Sequence, residues 1–199
     1  MLLVIECATA ACSAALIDGE QLVDERHEIV GRGHAERLLP MIADLLGNQR
    51  PTEILVDCGP GSFTGIRVGI AAAQGLAIGW NVPLSGYSSL ALLSASTRGS
   101  HVAAALHGGH GQLFVQSYCD EPLNAQDELR SLSPEDAAAA ISAPIVVGSG
   151  AAVLVALRGT GTAIDALPRA ADVLLLPPLL RNLPPRPIYG RGPDAKPMP

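Results

Sequence analysis

The chain has 199 residues, 48% of them apolar, and a formal charge of −6, which is enough apolar material for a packed core in one domain or two small lobes. Its 13 Lys and Arg are scattered without a basic run, which excludes a phosphate-tracking surface for direct, independent nucleic-acid binding. No uninterrupted apolar segment reaches the roughly 20 residues that span a bilayer. Cys7, Cys12, Cys58 and Cys119 show neither a C-x-x-C pair nor the spacing of a small secreted scaffold, so four buried reduced thiols are expected.

The opening run Met1–Glu6 has no basic stretch before its apolar residues and turns polar within a few positions. It reads as a strand and not as a signal peptide, so a soluble cytoplasmic protein is expected. Leu2–Ile5, Ala14–Ile17 and Leu22–His27 are strand-like, and Asp18-Gly19 is a turn between the second and third, predicting a three-stranded meander. Leu38, Met41, Ile42, Leu45 and Leu46 fall at helical spacing and predict an amphipathic helix over His34–Leu46, with Pro40 either bending it or marking a later start.

Glu53–Asp57 returns as a buried strand and leads into the loop Cys58–Arg67. Gly59, Gly61 and Gly65 open backbone conformations closed to other residues, Pro60 stiffens the turn, and Ser62 or Thr64 can cap the helix that follows. Such a loop either cradles a phosphate with its amides and the helix dipole or makes a sharp strand-to-helix turn. It matches neither a P-loop nor G-x-G-x-x-G. The helix runs to Trp80 with Ile66, Ile70, Ala73, Leu76 and Ala77 at helical spacing. Its small residues, Gly69, Ala71, Gly75 and Gly79 among them, permit close packing against its own sheet alone or against a partner subunit as well.

Leu84–Tyr87 is predicted as a short strand and Ser88–Ser96 as a helix capped by Ser88 or Ser89, with a lobe boundary at Arg98-Gly99-Ser100. Val102–Leu106 and Gln112–Tyr118 form a hairpin around His107–Gly111. Ser133-Pro134-Glu135-Asp136 starts a helix, with a capping hydroxyl, Pro at the first position and early acids. Ile145–Val147 is a strand, Ala151–Leu157 a short helix, and the proline-rich stretch from Pro184 an arm or a frayed end. The expected organisation is an N-terminal lobe over 1–98, a smaller α/β lobe over 99–183 and a tail over 184–199.

His101, His107 and His110 either converge on a metal ion or decorate an exposed turn. Ser62, Ser88 and Ser89 lack the G-x-S-x-G surroundings of a hydrolase nucleophile. Glu6 and Asp57 end neighbouring strands, as a metal-binding carboxylate pair or, for Glu6, as a cap on the strand edge.

Ile5-Glu6-Cys7-Ala8-Thr9, Arg32–Pro40, Gly59–Gly69 and Ala73-Gln74-Gly75-Leu76-Ala77 together resemble the bacterial TsaB (YeaZ) family, over roughly the first half of the chain. A weaker echo follows at Pro187-Ile188-Tyr189-Gly190-Arg191. The resemblance implies an α/β, actin/Hsp70-like (ASKHA) fold of two lobes with mixed sheets. It further implies a non-catalytic dimerisation and scaffold subunit that binds and activates TsaD for threonylcarbamoyl transfer to adenosine 37 of ANN-decoding tRNA. TsaE completes that assembly, tRNA is met only through the complex, and the chain alone forms a homodimer. No cofactor is implied in the isolated chain; a nucleotide would sit at the partner interface.

The implied interface comprises His34, Arg37, Leu38, Met41, Ile42 and Leu45 on the first helix and Ile66, Gly69, Ile70, Ala73, Gln74 and Ala77 on the second. Gly59, Pro60, Gly61, Ser62, Thr64, Gly65 and Arg67 form the loop nearest a nucleotide. The positions of TsaD's two metal-binding histidines fall on Ser89 and Leu93. Glu6 stands for the first-strand Asp of the ASKHA phosphate motif, and Cys7 where the TsaB pattern has Thr. An ASKHA ATPase or kinase, and an M22-like metallopeptidase, are the alternative readings.

Overall fold

The computed structural model describes residues 1–97, 99, 101–119 and 122–190. Strand β1 (Leu2–Glu6) pairs antiparallel with β2 (Ala11–Asp18), and β2 with β3 (Gln21–Ile29). The chain crosses through α1 (His34–Leu46) to β4 (Glu53–Asp57), parallel to β1, and through α2 (Phe63–Trp80) to β5 (Leu84–Tyr87), parallel to β4. The product is a five-stranded mixed sheet in the order β3-β2-β1-β4-β5. The meander is longer than its apolar runs suggest because β2 continues past the end of β1, where Ala11 and Cys12 pair with Ile29 and Glu28 of β3. Pro40 lies inside α1 on its exposed side, so its missing donor falls toward solvent.

Helix α3 (Ser89–Ala95) leads to the second sheet. Its strands are β6 (His101–His107), β7 (Leu113–Cys119), β8 (Asn124–Ala125), β9 (Arg130–Leu132), β10 (Ile145–Val147) and β11 (Thr162–Ile164). They run in the order β11-β10-β6-β7-β8, with β9 also on β7. Helices α4 (Pro134–Ala140) and α5 (Ala151–Arg158) cover it. Ser133 caps α4 as expected, its hydroxyl accepting the Asp136 N–H at 3.1 Å. Strands β8, β9 and β11 have three residues or fewer, too few for an alternating pattern to show.

Alternation along the strands sets the layers. Leu3, Ile5, Ala14, Leu16, Ile54 and Val56 pack with α1 and α2. Val4, Ala15, Ile17, Leu55 and Tyr87, on the opposite face, share one core with α3, the 3-10 segment Ala170–Leu175, and Val102, Ala104, Leu106 and Phe114 of the second sheet. Ala103, Ala105, Val115 and Val146 turn away toward α4 and α5. The middle core therefore belongs to both sheets.

The expected partition needs correction at its C-terminal end. Ala170–Leu175 returns to the first sheet, the Ala170 N–H donating to Ser13 Oγ at 3.1 Å. Leu183 and Gly86 exchange both backbone hydrogen bonds, at 2.7 and 2.9 Å, and satisfy part of the open edge of β5. Beyond Pro184 the chain is a docked arm and not a frayed end: the Ile188 N–H donates to the Cys58 carbonyl at 2.8 Å. Arg98 and Ser100 of the expected boundary, and residues 191–199, lie outside the described residues.

Candidate functional site

The loop between β4 and α2 is built against the first strand. Asp57 Oδ1 accepts the Gly59 N–H at 2.9 Å, and Gly59 takes φ 90, a conformation that favours glycine. A β-carbon on Gly61 would overlap the Ala8 carbonyl, and one on Gly65 the Cys7 carbonyl. The Ser62 N–H donates to the Ala8 carbonyl at 2.6 Å, and the Ile66 N–H to the Ser62 carbonyl at 3.0 Å. Ser62 is the cap, its hydroxyl accepting the Gly65 N–H at 3.2 Å; Thr64 is exposed. The amides of Gly59, Ser62 and Gly65 are thus engaged inside the protein, and they hold the loop as a sharp strand-to-helix turn. The loop seats α2 on β1. Ser89 braces it from below, donating through Oγ to the Pro60 carbonyl at 2.6 Å and through N–H to the Gly59 carbonyl at 3.1 Å. Neither Ser88 nor Ser89 caps α3 with its side chain, contrary to expectation.

The residues expected at a partner interface require a larger correction. His34, Leu38, Met41, Ile42, Leu45, Ile66, Gly69, Ile70, Ala73 and Ala77 are buried in the chain's own structure, because the apolar stripe of each helix is the side that covers the sheet. Arg37 and Gln74 are exposed, and both are held within the chain. Arg37 forks onto Glu28 of β3 through Nε and Nη2, at 2.6 and 2.5 Å, and Gln74 Nε2 donates to the Pro185 carbonyl at 3.3 Å. The outward side of the two helices carries Leu39, Ala43, Ala71, Gly75, Ile78 and Gly79 beside the exposed Glu36, Asp44 and Arg67.

A cleft of about 700 Å³ opens between the ends of the two sheets, with Ser62, Phe63 and Tyr189 on one side and His107 and Ser149 on the other. Arg67 lies at its rim. Its guanidinium sits 3.6 Å from the Phe63 ring centroid and donates to the Tyr189 hydroxyl from Nε at 3.2 Å and Nη2 at 2.9 Å. Phe63 follows from the loop sequence as a residue at the helix start. Tyr189 shows in the sequence only within the family echo Pro187–Arg191, and the docking of the arm is what brings it to the cleft. Among the described residues, no three His, Cys, Asp or Glu side chains are placed to hold a metal, so His101, His107 and His110 do not converge.

Glu6 and Asp57 are both buried, so the carboxylate pair is sealed from solvent. Glu6 Oε1 accepts the Ala8 N–H at 2.8 Å, which makes it a cap on the strand end. The Tyr87 hydroxyl stands 3.1 Å from both the Ile5 carbonyl and Glu6 Oε2. Burial pushes the Glu6 carboxyl up to about 7. Burial, and then the neighbouring Glu6 charge, lift Asp57 well above the usual carboxylate range. Asp57 Oδ2 has no hydrogen-bond partner among the described residues. The four cysteines are free; Cys119, expected to be buried, is only partly so.

Residues 26–141, more than half of the chain, match the profile of the family described as TsaD: tRNA N6-adenosine threonylcarbamoyltransferase. The tRNA threonylcarbamoyladenosine biosynthesis protein TsaB of Escherichia coli is 35% identical over 126 residues, 59% of this chain and 54% of that protein. TsaB of Haemophilus influenzae is 40% identical over 134 residues, 62% of this chain and 56% of that protein. The match thus spans about half the length of these TsaB relatives. An uncharacterized protein of Mycobacterium tuberculosis, Rv3421c, is 30% identical with 98% of this chain and 94% of that protein covered. YeaZ from Pseudomonas aeruginosa superposes with a TM-score of 0.81 at 27% identity, covering 94% of this chain and 98% of that one. EutJ from Carboxydothermus hydrogenoformans shares the fold alone, at a TM-score of 0.50 and 12% identity. With two mixed sheets in the α/β arrangement of an actin-like ASKHA fold, the chain belongs to the TsaB/YeaZ family.

Proposed function

We propose that this chain is a non-catalytic subunit in the synthesis of threonylcarbamoyladenosine in tRNA, and that it binds TsaD through the outward side of α1 and α2. The observation that carries the reading is the make-up of that side. Ile78 is 82% exposed and Leu39 50%, and the exposed glycines Gly75 and Gly79 have open space where a β-carbon would stand. Low, and apolar at Leu39 and Ile78, this surface lets helices of another subunit approach closely. Ser89 and Leu93, where the resemblance puts TsaD's metal ligands, are buried in α3 and neither offers an imidazole, which supports a role without metal catalysis.

In this reading the isolated chain takes no cofactor, a nucleotide belongs to the boundary with TsaD, and TsaE and tRNA join only the assembled complex. Without TsaD, two copies pair through the same side. The test is co-purification with TsaD and a tRNA-modification assay with and without this chain. Ile78→Asp is expected to abolish the complex and the stimulation while leaving the melting temperature unchanged. A complex that forms equally well with Ile78→Asp removes the assigned surface; tight ATP binding by the isolated chain in calorimetry favours the ATPase or kinase reading instead.

A further inference from the structure

Cys7 and Cys12 stand at the open end of the β1–β2 pair. The last register pair of these strands is Glu6 with Ser13, so the two cysteines oppose each other one step further on, with their sulfurs 3.9 Å apart. Opposed residues of antiparallel strands have Cα atoms about 4.5–5.5 Å apart, within the range of about 4.4–6.8 Å that a disulfide spans. Closing the sulfurs to about 2.05 Å needs side-chain rotation and a small shift of the connecting loop. The thiol–thiol hydrogen bond pulls Cys12 down and pushes Cys7 up, leaving one sulfur the readier nucleophile and the other protonated. Glu6 and Asp57 face Cys7, and Glu28 and Arg37 face Cys12.

We propose that Cys7 and Cys12 are a redox-active pair that closes to an intramolecular disulfide when the protein meets a peroxide. The Cys12 thiolate attacks one peroxide oxygen, the O–O bond breaks, hydroxide leaves, and Cys12 becomes a sulfenic acid. The Cys7 sulfur then attacks the Cys12 sulfur, the S–S bond forms, the S–O bond breaks, and hydroxide departs with the thiol proton as water. Two thiols and one hydrogen peroxide give one disulfide and two waters. Both sulfurs are buried, so the reaction proceeds through opening of the β1–β2 turn and is slower than at the partly exposed Cys119. Cys7 also packs on α2: a β-carbon on Gly69 would stand 3.3 Å from Cys7 Cβ and 3.6 Å from its Sγ. Drawing that sulfur toward Cys12 loosens the seat of the helix.

The test treats the full chain with hydrogen peroxide under native conditions, at a dose raised until Cys119 is oxidised. Remaining thiols are alkylated in denaturant and the tryptic peptide ending at Arg26, which carries both cysteines, is weighed. The expected result is loss of both alkyl labels with a mass two hydrogens below the reduced peptide, and return of both labels after dithiothreitol. A peptide that keeps both labels while Cys119 is oxidised, or that carries separate sulfinic acids, overturns the proposal. Hydrogen exchange on the oxidised form reads the second half: faster exchange at the second turn of α2, around Gly69, is expected, and unchanged exchange there removes the link to the helix.

Discussion

Gly65 and Gly75 occupy one helix and answer to opposite demands. A methyl group on Gly65 meets the Cys7 carbonyl, whereas one on Gly75 meets nothing within 4 Å. Gly65→Ala is expected to destabilise by roughly 1–3 kcal/mol through overpacking, and Gly75→Ala to stabilise by roughly 0.8–1.0 kcal/mol through helix propensity. Urea midpoints of the two variants should move in opposite directions; a shift of the same sign would contradict the seating of α2. At Glu6 the lever is pH. Its carboxyl is held up at about 7 against an ordinary 4.5, so between those values the folded chain keeps a proton that the unfolded chain has released. Stability from this group therefore falls as pH rises from 4.5 to about 7 and is level above, a difference of about 3 kcal/mol at one proton; Asp57 pushes the same way. Glu6→Gln is expected to flatten that fall, measured as the difference in unfolding free energy between pH 5 and pH 8 relative to the parent protein. An unchanged difference would mean that Glu6 is not held protonated. Sequence periodicity picks out the stripe Leu38, Met41, Ile42 and Leu45 but carries no label for what covers it. A core face and a subunit interface are made of the same residues, and the reading of this stripe as partner surface inverted inside and outside for that reason.

The arm Pro184–Gly190 works as an element although it has no regular secondary structure of its own. It is held by Cys58, Gln74 and Arg67, on the loop and on α2. Tyr189→Phe removes the acceptor for Arg67, and because both side chains are exposed the expected loss of global stability is under about 1 kcal/mol. The local effect is larger: the Ile188 amide is expected to exchange faster with solvent, and exchange equal to that of the parent protein would show that Arg67 does not hold the arm. Elements with a full apolar period were legible in the sequence, and α1, β4 and β5 begin and end where their patterns do. The arm was not, since its partners lie more than a hundred residues away and its prolines read equally well as a loose end.

At the scale of the molecule, α3 decides how the two sheets behave together. Leu90, Leu92 and Leu93 are all buried, on a short helix whose residues Ser89–Ser94 are buried on every side, and such a helix lies inside a larger core. The run of leucines is plain in the sequence, and the lobe boundary expected at Arg98-Gly99-Ser100 follows directly after it. Leu92→Ala is expected to cost about 2–5 kcal/mol and to leave a single calorimetric transition at lower temperature. Two transitions, or a loss confined to one sheet, would show two lobes that unfold independently. The shared middle core has a mechanical consequence. A lever needs a fulcrum, and a core filled from both sheets offers none, so a push on α2 is expected to displace the two sheets together and not to bend one against the other.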